Sequence, residues 1–406
     1  MTTLLEARRD APGGRRSGDG RARLRVLLLV SELEDFTIAF ANGLVGHADV
    51  LLAVPRRRYA RLKAAIDPRI DLRLLDWPRH RDLANPRFLL ALTRLVRAER
   101  PDVIHLLSHT VVWLNLALPF WRPMPIVTTV HDVELHPGDT DTSTIPRWCG
   151  DLACRLSGDV VVHGEALARR ATARFNKAPE RVHVLPHPAI GRYADLARAE
   201  GMTRRETPGV FTVLMFGRLF SYKGLDVLLR AEALLAGRVA GLRIVLAGRG
   251  DDPWALQPLM GDPSRYDVRN RFVGDREVAQ LFLDADLVAL PYREASQSGV
   301  LNVAAAFGRP VVASDVGELG CTVRDHGLGA LVPPGDPERL AEAIADLAER
   351  PDRLAAFGRA ARAWAKGPNA PATVGAQAAT LYRQIAAGAA TAKGAPLAGD
   401  SPALPG

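Results

Sequence analysis

Arg218 and Lys223 flank a short segment, FGRLFSYKG (216–224), that follows an apolar run, FTVLMF (211–216). A stretch with Leu228, Leu229 and Leu235 on one helical side comes next. A strand-to-helix turn bearing two cations suits phosphate, since Arg offers a bidentate fork of donors and Lys a point charge. Such groups stabilise the charge that develops on a departing diphosphate when a sugar–phosphate bond breaks. Taken alone, two cations beside a turn are as readily a solvated surface. A second segment, PYREASQSGV (291–300), follows the run ADLVALP (285–291) and places Ser298 and Gly299 at a helix start, with Val300 and Leu301 next. Unpaired amides and the helix dipole attract an anion at such a start, although Ser298 also reads as a plain N-cap.

The elements that must position these groups are short and continuously apolar: LRVLLLV (24–30), ADVLLAV (48–54), DVIHLL (102–107), IVTTV (126–130) and DVVVH (159–163). Continuous rather than alternating runs are what a parallel sheet covered on both faces requires. A polar stretch, 191–209, interrupts the pattern. It restarts with residues 211–216, LRIVLAG (242–248), VRNRFVG (268–274), 285–291 and PVVAS (310–314). Asp336 and Pro337 predict a helix start with Leu340, Ile344 and Leu347 on its apolar stripe, and a last helix is expected over 374–385. The expected class is α/β: two Rossmann-like, doubly wound parallel-sheet lobes, 23–190 and 210–388, joined by a linker at 191–209 and facing a cleft at their strand ends. The tails, 1–22 and 389–406, have the composition of disordered segments.

At 406 residues, 48% hydrophobic and 24% charged, the chain excludes collagenous, disordered and disulfide-scaffold classes. Cys149, Cys154 and Cys321 have no metal-ligand spacing and read as reduced thiols. No run is long enough to span a bilayer and the start lacks secretory-leader chemistry, so a cytoplasmic location is expected. The net charge of +8 favours anionic partners, whereas 6% aromatics and no nucleic-acid module argue against nucleic acid. Arg56, Arg57, Arg58, Arg61 and Lys63 gather near Tyr59, Leu62 and Ile66. They form either a solvated face or a basic amphipathic surface for anionic membrane.

Six ordered blocks give the chain a resemblance to the family-four retaining glycosyltransferases of the GT-B fold. They are GRLFSYKGLDVLLRA (217–231), IVLAGRGDD (244–252), NRFVGD (270–275), PYREASQSGV (291–300), AFGRPVVASDVG (306–317) and GALVPPGDPERLAEAI (329–344). The resemblance implies that Arg218 and Lys223, with Gly217 in the same turn, contact a donor diphosphate cradled by the amides of Ser298, Gly299, Val300 and Leu301. It places Phe272 and Val273 against the nucleotide base, and Glu294, first Glu of the family's Glu-x7-Glu pattern, near donor-sugar hydroxyls. The second Glu falls at Asn302 by counting or Val303 by alignment from PVVAS, and neither is acidic; Asn302 offers a neutral acceptor to the ribose. Glu318, Gly320 and Cys321 likewise replace the usual Gly, Pro and Glu.

In the first lobe the resemblance puts His131 at a strand end facing donor sugar and acceptor, with Glu134, His136 and Asp139 as acceptor-side candidates. His105, His109, His163 and His187 read as core or rim residues. The implied activity is transfer, with retention, from a UDP- or GDP-linked sugar to a glycan or lipid-linked acceptor, with no cofactor beyond the donor and no metal. The alternatives are an inactive glycosyltransferase-like binding subunit and a sugar-nucleotide epimerase.

Overall fold

The computed structural model describes residues 23–79, 82–109, 113–133, 147–205 and 207–394. Its apolar runs form two all-parallel sheets. In the first, β1 (Arg25–Leu29), β2 (Asp49–Pro55), β3 (Asp71–Leu75), β4 (Val103–Leu106), β5 (Ile126–Thr129), β6 (Asp159–Val162) and β7 (Val182–Val184) take the order β3-β2-β1-β4-β5-β6-β7. In the second, β8 (Phe211–Phe216), β9 (Leu242–Ala247), β10 (Tyr266–Arg269), β11 (Leu287–Leu290), β12 (Val311–Ser314) and β13 (Gly329–Val332) take the order β10-β9-β8-β11-β12-β13. Helices cover both faces, so β1, β4, β11 and β12 are buried along their length or nearly so. The order reverses between β1 and β4 and between β8 and β11, where ligands bind in open sheets of this kind.

This is the two-lobed α/β architecture expected from the apolar runs. Strands β3, β7 and β13 lie outside those runs; β3 and β7 are edge strands, short and only partly buried, and the alternating sequence of β3, DLRLL, gives no continuous signal. Strand β10 lies at 266–269, just ahead of the run expected at 268–274.

Two boundaries are corrected. The stretch taken as linker contains the helix Arg192–Ala199, whose Tyr193 and Ala197 join the second lobe's core beside Ala189 and Ile190. Its polarity misled because one side of this helix meets ion-pair partners. The final helix, Pro371–Gly394, continues beyond the expected end of the second lobe and belongs to the first lobe's core. Val374, Ala378, Leu381 and Tyr382 pack with Val26, Phe40 and Leu44. A chain that finishes by crossing back supplies the first sheet with a helix that its own 23–190 segment lacks. Of the expected tails, 1–22 and 389–406, residues 389–394 instead continue this helix, and 1–22 and 395–406 lie outside the described residues.

Tyr382 is fully buried, and its hydroxyl meets Nδ1 of the equally buried His105 on β4. Tyr382→Ala is expected to cost about 3–5 kcal/mol, as for other large aromatic truncations. The loss should appear as a lowered denaturant midpoint; an unchanged midpoint would contradict the placement of this helix in the first core.

Candidate active site

Adjacent strands β8 and β11 each end in one of the segments singled out above. After β8 the chain turns through Gly217, Arg218 and a short helical turn, Ser221–Lys223, into the helix Leu225–Leu234. Gly224, at that helix's start, has φ of +72°, and a Cβ there would lie 1.9 Å from the Pro291 carbonyl oxygen. Only glycine lets the Lys223 turn pack against the end of β11. The Lys223 ammonium then sits 3.7 Å from the centre of the Tyr292 ring and 5.0 Å from that of Tyr222. These aromatic faces steady the cation. Sequence reasoning missed both tyrosines; Tyr292, in the first position after an apolar strand, was the available signal.

Beyond Tyr292 comes the helix Gly299–Phe307, capped by Ser298, whose Oγ accepts from the Leu301 amide at 3.4 Å. Tyr292 Oη lies 3.2 Å from the same Oγ. Burial pushes the Tyr292 phenol up to about 12, so it stays protonated beside Lys223.

These groups meet in a cleft of about 550 Å³ between the lobes. Its second-lobe wall includes Gly217, Arg218 and Lys223, with Ser298, Gly299 and Val300 facing them. Phe272 and Val273 line it further along; Phe272 is half-exposed, and the Arg61 guanidinium reaches across from the first lobe to 5.3 Å from its ring centre. His131 closes the floor from the first lobe. Nine of the twelve expected site residues therefore share one space. A larger concavity of about 1180 Å³, between the helix Glu165–Phe175 and the final helix, contains none of them.

Three lie elsewhere. Glu294 is exposed and outside the cleft lining, beside Arg293, which pairs with Asp226 at 2.6 Å. Leu301 and Asn302 face an adjoining cavity of about 310 Å³. The Asn302 amide is engaged inside the protein: Nδ2 donates to the Ser298 carbonyl at 3.2 Å, and Oδ1 accepts from Asn369 Nδ2 at 2.7 Å. Helical spacing turns Asn302 inward, and Val303 faces the cleft instead. Glu134, His136 and Asp139 lie outside the described residues.

On the floor, both ring nitrogens of His131 are engaged: Nε2 donates to the Leu107 carbonyl at 2.9 Å, and Nδ1 is 3.1 Å from His163 Nε2. His163 Nδ1 donates to the Leu185 carbonyl, so His131 ties the end of β5 to that of β4, and His163 ties the end of β6 to that of β7. His187, read from sequence as core or rim, lines the cleft. The expected basic surface is divided. Arg56 pairs with Asp76 at 2.9 Å and Arg58 with Glu34 at 2.7 Å, while Arg61 turns into the cleft.

The mouth of the cleft is spanned by Arg192. It meets Asp35 of the first lobe and Asp275 of the second, and Tyr193 Oη donates to Asp35 at 2.9 Å. At the rear, Glu318 crosses from the second lobe to accept from the Ala166 amide at 2.7 Å, capping the helix Glu165–Phe175. Among the described residues no cluster of three or more His, Cys, Asp or Glu could hold a metal ion, and no helix is long and apolar enough to cross a membrane.

Two doubly wound lobes facing across a cation-lined cleft at their strand ends define the GT-B architecture. Residues 33–189 match Glycosyltransferase Family 4, and residues 210–350 match Glycosyl transferases group 1. The chain spans less than two thirds of the length of the curated relatives it matches first. A D-inositol 3-phosphate glycosyltransferase of Saccharomonospora viridis is 33% identical over 282 residues, which cover 63% of this chain and 65% of that protein's length. HepE of Anabaena, solved in complex with UDP-glucose, matches with a TM-score of 0.65 at 20% identity, over 90% of this chain and 100% of that one. UDP-GlcNAc 2-epimerase from Neisseria meningitidis matches with a TM-score of 0.55 at 12% identity, over 89% and 100%. The fold is therefore shared by transfer and epimerisation enzymes and does not choose between them.

Burial, reinforced by the field of His131, pushes the His105 and His187 imidazoles down to about 3, and burial also lowers His131 and His163. In the unfolded chain these rings titrate near 6.5, so the unfolded state binds more protons once pH falls below that value. The stability they contribute is present above about pH 6.5 and is lost progressively toward pH 3. Urea unfolding should show a lower midpoint at pH 5 than at pH 7, and His105→Gln should flatten that fall; a midpoint independent of pH would contradict it.

Proposed function

We propose that the chain is a retaining glycosyltransferase that moves a sugar from a nucleoside-diphosphate donor, uridine-linked in the first instance, to a hydroxyl acceptor. The observation that carries this reading is the convergence of Arg218, Lys223 and the Ser298-capped helix start on one cleft from adjacent strands β8 and β11. The family matches of both lobes support it, and HepE's complex with UDP-glucose supports the choice of base. In the proposed reaction the sugar C1–O bond breaks and its electron pair leaves on the diphosphate. The acceptor oxygen forms the new bond to C1, and its proton passes to the departing phosphate. Fixed cations and helix amides stabilise the charge on the leaving group, a role that in other enzymes falls to a divalent ion, so no metal requirement is proposed. Phe272 and Val273 would bound the base, and Val303 would leave the ribose without a carboxylate partner there.

An anionic acceptor fits best. Arg61 presents its guanidinium on the first-lobe wall, and the relatives bear the name D-inositol 3-phosphate glycosyltransferase. A phosphorylated polyol and a lipid-linked phosphate share this chemistry, and transfer assays with one of each separate them.

Calorimetry with UDP- and GDP-sugars tests the donor site: no binding of any would sink the enzyme reading and leave a non-catalytic subunit. Recovery of an epimerised donor without net transfer would favour the epimerase. Lys223→Ala is expected to lower turnover about 100- to 1000-fold, the usual cost of losing one preorganised stabilising group. Its thermal midpoint should stay close to that of the parent, because the side chain is only half-buried. An undiminished rate would refute the assignment.

A further inference from the structure

His187 stands between β7 and the helix Arg192–Ala199, with only 9% of its surface exposed. Its Nδ1 lies 2.9 Å from the Pro188 carbonyl, which can only accept, so Nδ1 carries the proton and Nε2 a lone pair. No described residue hydrogen-bonds that Nε2. The ring is held in place by Phe36, 4.9 Å away between ring centres, and by His163 at 5.3 Å. It lines both the cleft and the adjoining cavity.

Across from it, on the second lobe, Gln297 lines the same two spaces. Its Oε1 is buried and has no hydrogen-bond partner among the described residues. A buried amide oxygen left without a hydrogen bond is costly, so a partner supplied by a ligand is expected to be used. Two neutral acceptors, one on each lobe, thus border one space. Neither attracts an anion, and what satisfies both is a neutral group carrying more than one O–H donor.

We infer that His187 and Gln297 form a hydroxyl-recognition pair for the donor sugar. Resting on the proposed donor site, the inference extends it. Gln297 immediately precedes Ser298, the cap of the helix that faces the diphosphate cations, so the group attached to that diphosphate lies beside it. His187 meets the same group from the first lobe, and the sugar is thereby gripped between lobes. Because burial keeps the imidazole neutral, it serves as an acceptor throughout the working pH range. The pair selects the sugar and leaves the nucleotide to other residues.

The test is calorimetric titration of UDP and UDP-glucose, and of GDP and GDP-mannose, into the full chain and into His187→Phe, Gln297→Leu and His187→Gln. Bare nucleotide affinity should stay within about twofold in every variant. The gain in affinity from the attached sugar should fall about three- to tenfold in His187→Phe and in Gln297→Leu, the worth of one neutral hydrogen bond. His187→Gln, which keeps an acceptor, should recover part of it. An undiminished gain in Gln297→Leu and His187→Phe overturns the pair, as does equal loss of nucleotide and nucleotide-sugar affinity, which marks a merely structural role. If the parent chain binds neither nucleotide nor conjugate, the proposed donor site itself fails and takes this inference with it.

Discussion

Arg192 is a single guanidinium shared between two lobes, and the width of the cleft follows from that sharing. Burial works against its charge, but Asp275 and Asp35 more than restore it and hold its pKa above the ordinary arginine value. Toward Asp275 the contact is bidentate, at 2.8 and 3.1 Å, which fixes orientation as well as distance. Lysine could not serve, because a point charge cannot meet one carboxylate side-on while reaching a second. The Tyr193 ring, 4.0 Å from the guanidinium carbon, forms the remaining wall. The other cross-lobe contacts presuppose this separation: Arg61 over Phe272, and Glu318 at the Ala166 amide. Pull the lobes apart and the first-lobe histidines no longer face the second-lobe cations.

Within the second lobe the corresponding constraint is backbone crowding. Gly248 has φ of +140°, and a Cβ there would lie 1.7 Å from the Gly217 carbonyl oxygen; Gly224 stands in the same relation to Pro291. The ends of β8, β9 and β11 therefore meet main chain to main chain, and the side chains between them stand directly over the sheet's edge. That closeness brings Lys223 onto the face of Tyr292. An aromatic face holds an ammonium in place by attraction to its ring quadrupole, so the tyrosines fix where Lys223 stands at the cleft. The glycines, the tyrosines and the cations form one device assembled at a switch point in strand order.

The two sheets were legible because each buried strand is a continuous apolar run, and the diphosphate side because its residues follow those runs closely in the chain. Ser298 and Asp336 could be read as caps, and both accept the expected helix amides, from Leu301 and Arg339. What stayed hidden depends on partners distant in sequence. Arg192 looked like linker polarity because Asp35 and Asp275 are 157 and 83 residues away. Asn302 and Val303 could not be told apart by counting, since helix rotation decides which faces the cleft. His187 reads from sequence as a core residue because its tautomer is set by one backbone carbonyl, a contact that spacing does not record. The final helix was recognised as a helix, but its lobe could not be, because periodicity records that a face is apolar and not which core covers it.

The distribution of charge across the cleft is itself an argument for where bond breaking occurs. Fixed positive groups stand on the second-lobe side of the strand ends, where the proposed leaving group gains negative charge. The first-lobe floor is built from His131 and His187, with His163 packed against both, and burial holds all three below their ordinary pKa and hence neutral near pH 7. In the proposed transition state the sugar ring between them becomes partly positive. Imidazolium rings at that floor would oppose this charge at close range in a medium of low dielectric. Neutral rings remove the opposition, and His187 still offers a lone pair to a hydroxyl group. Desolvation, which usually counts as a cost of burying a titratable group, here keeps the floor from competing with the chemistry above it.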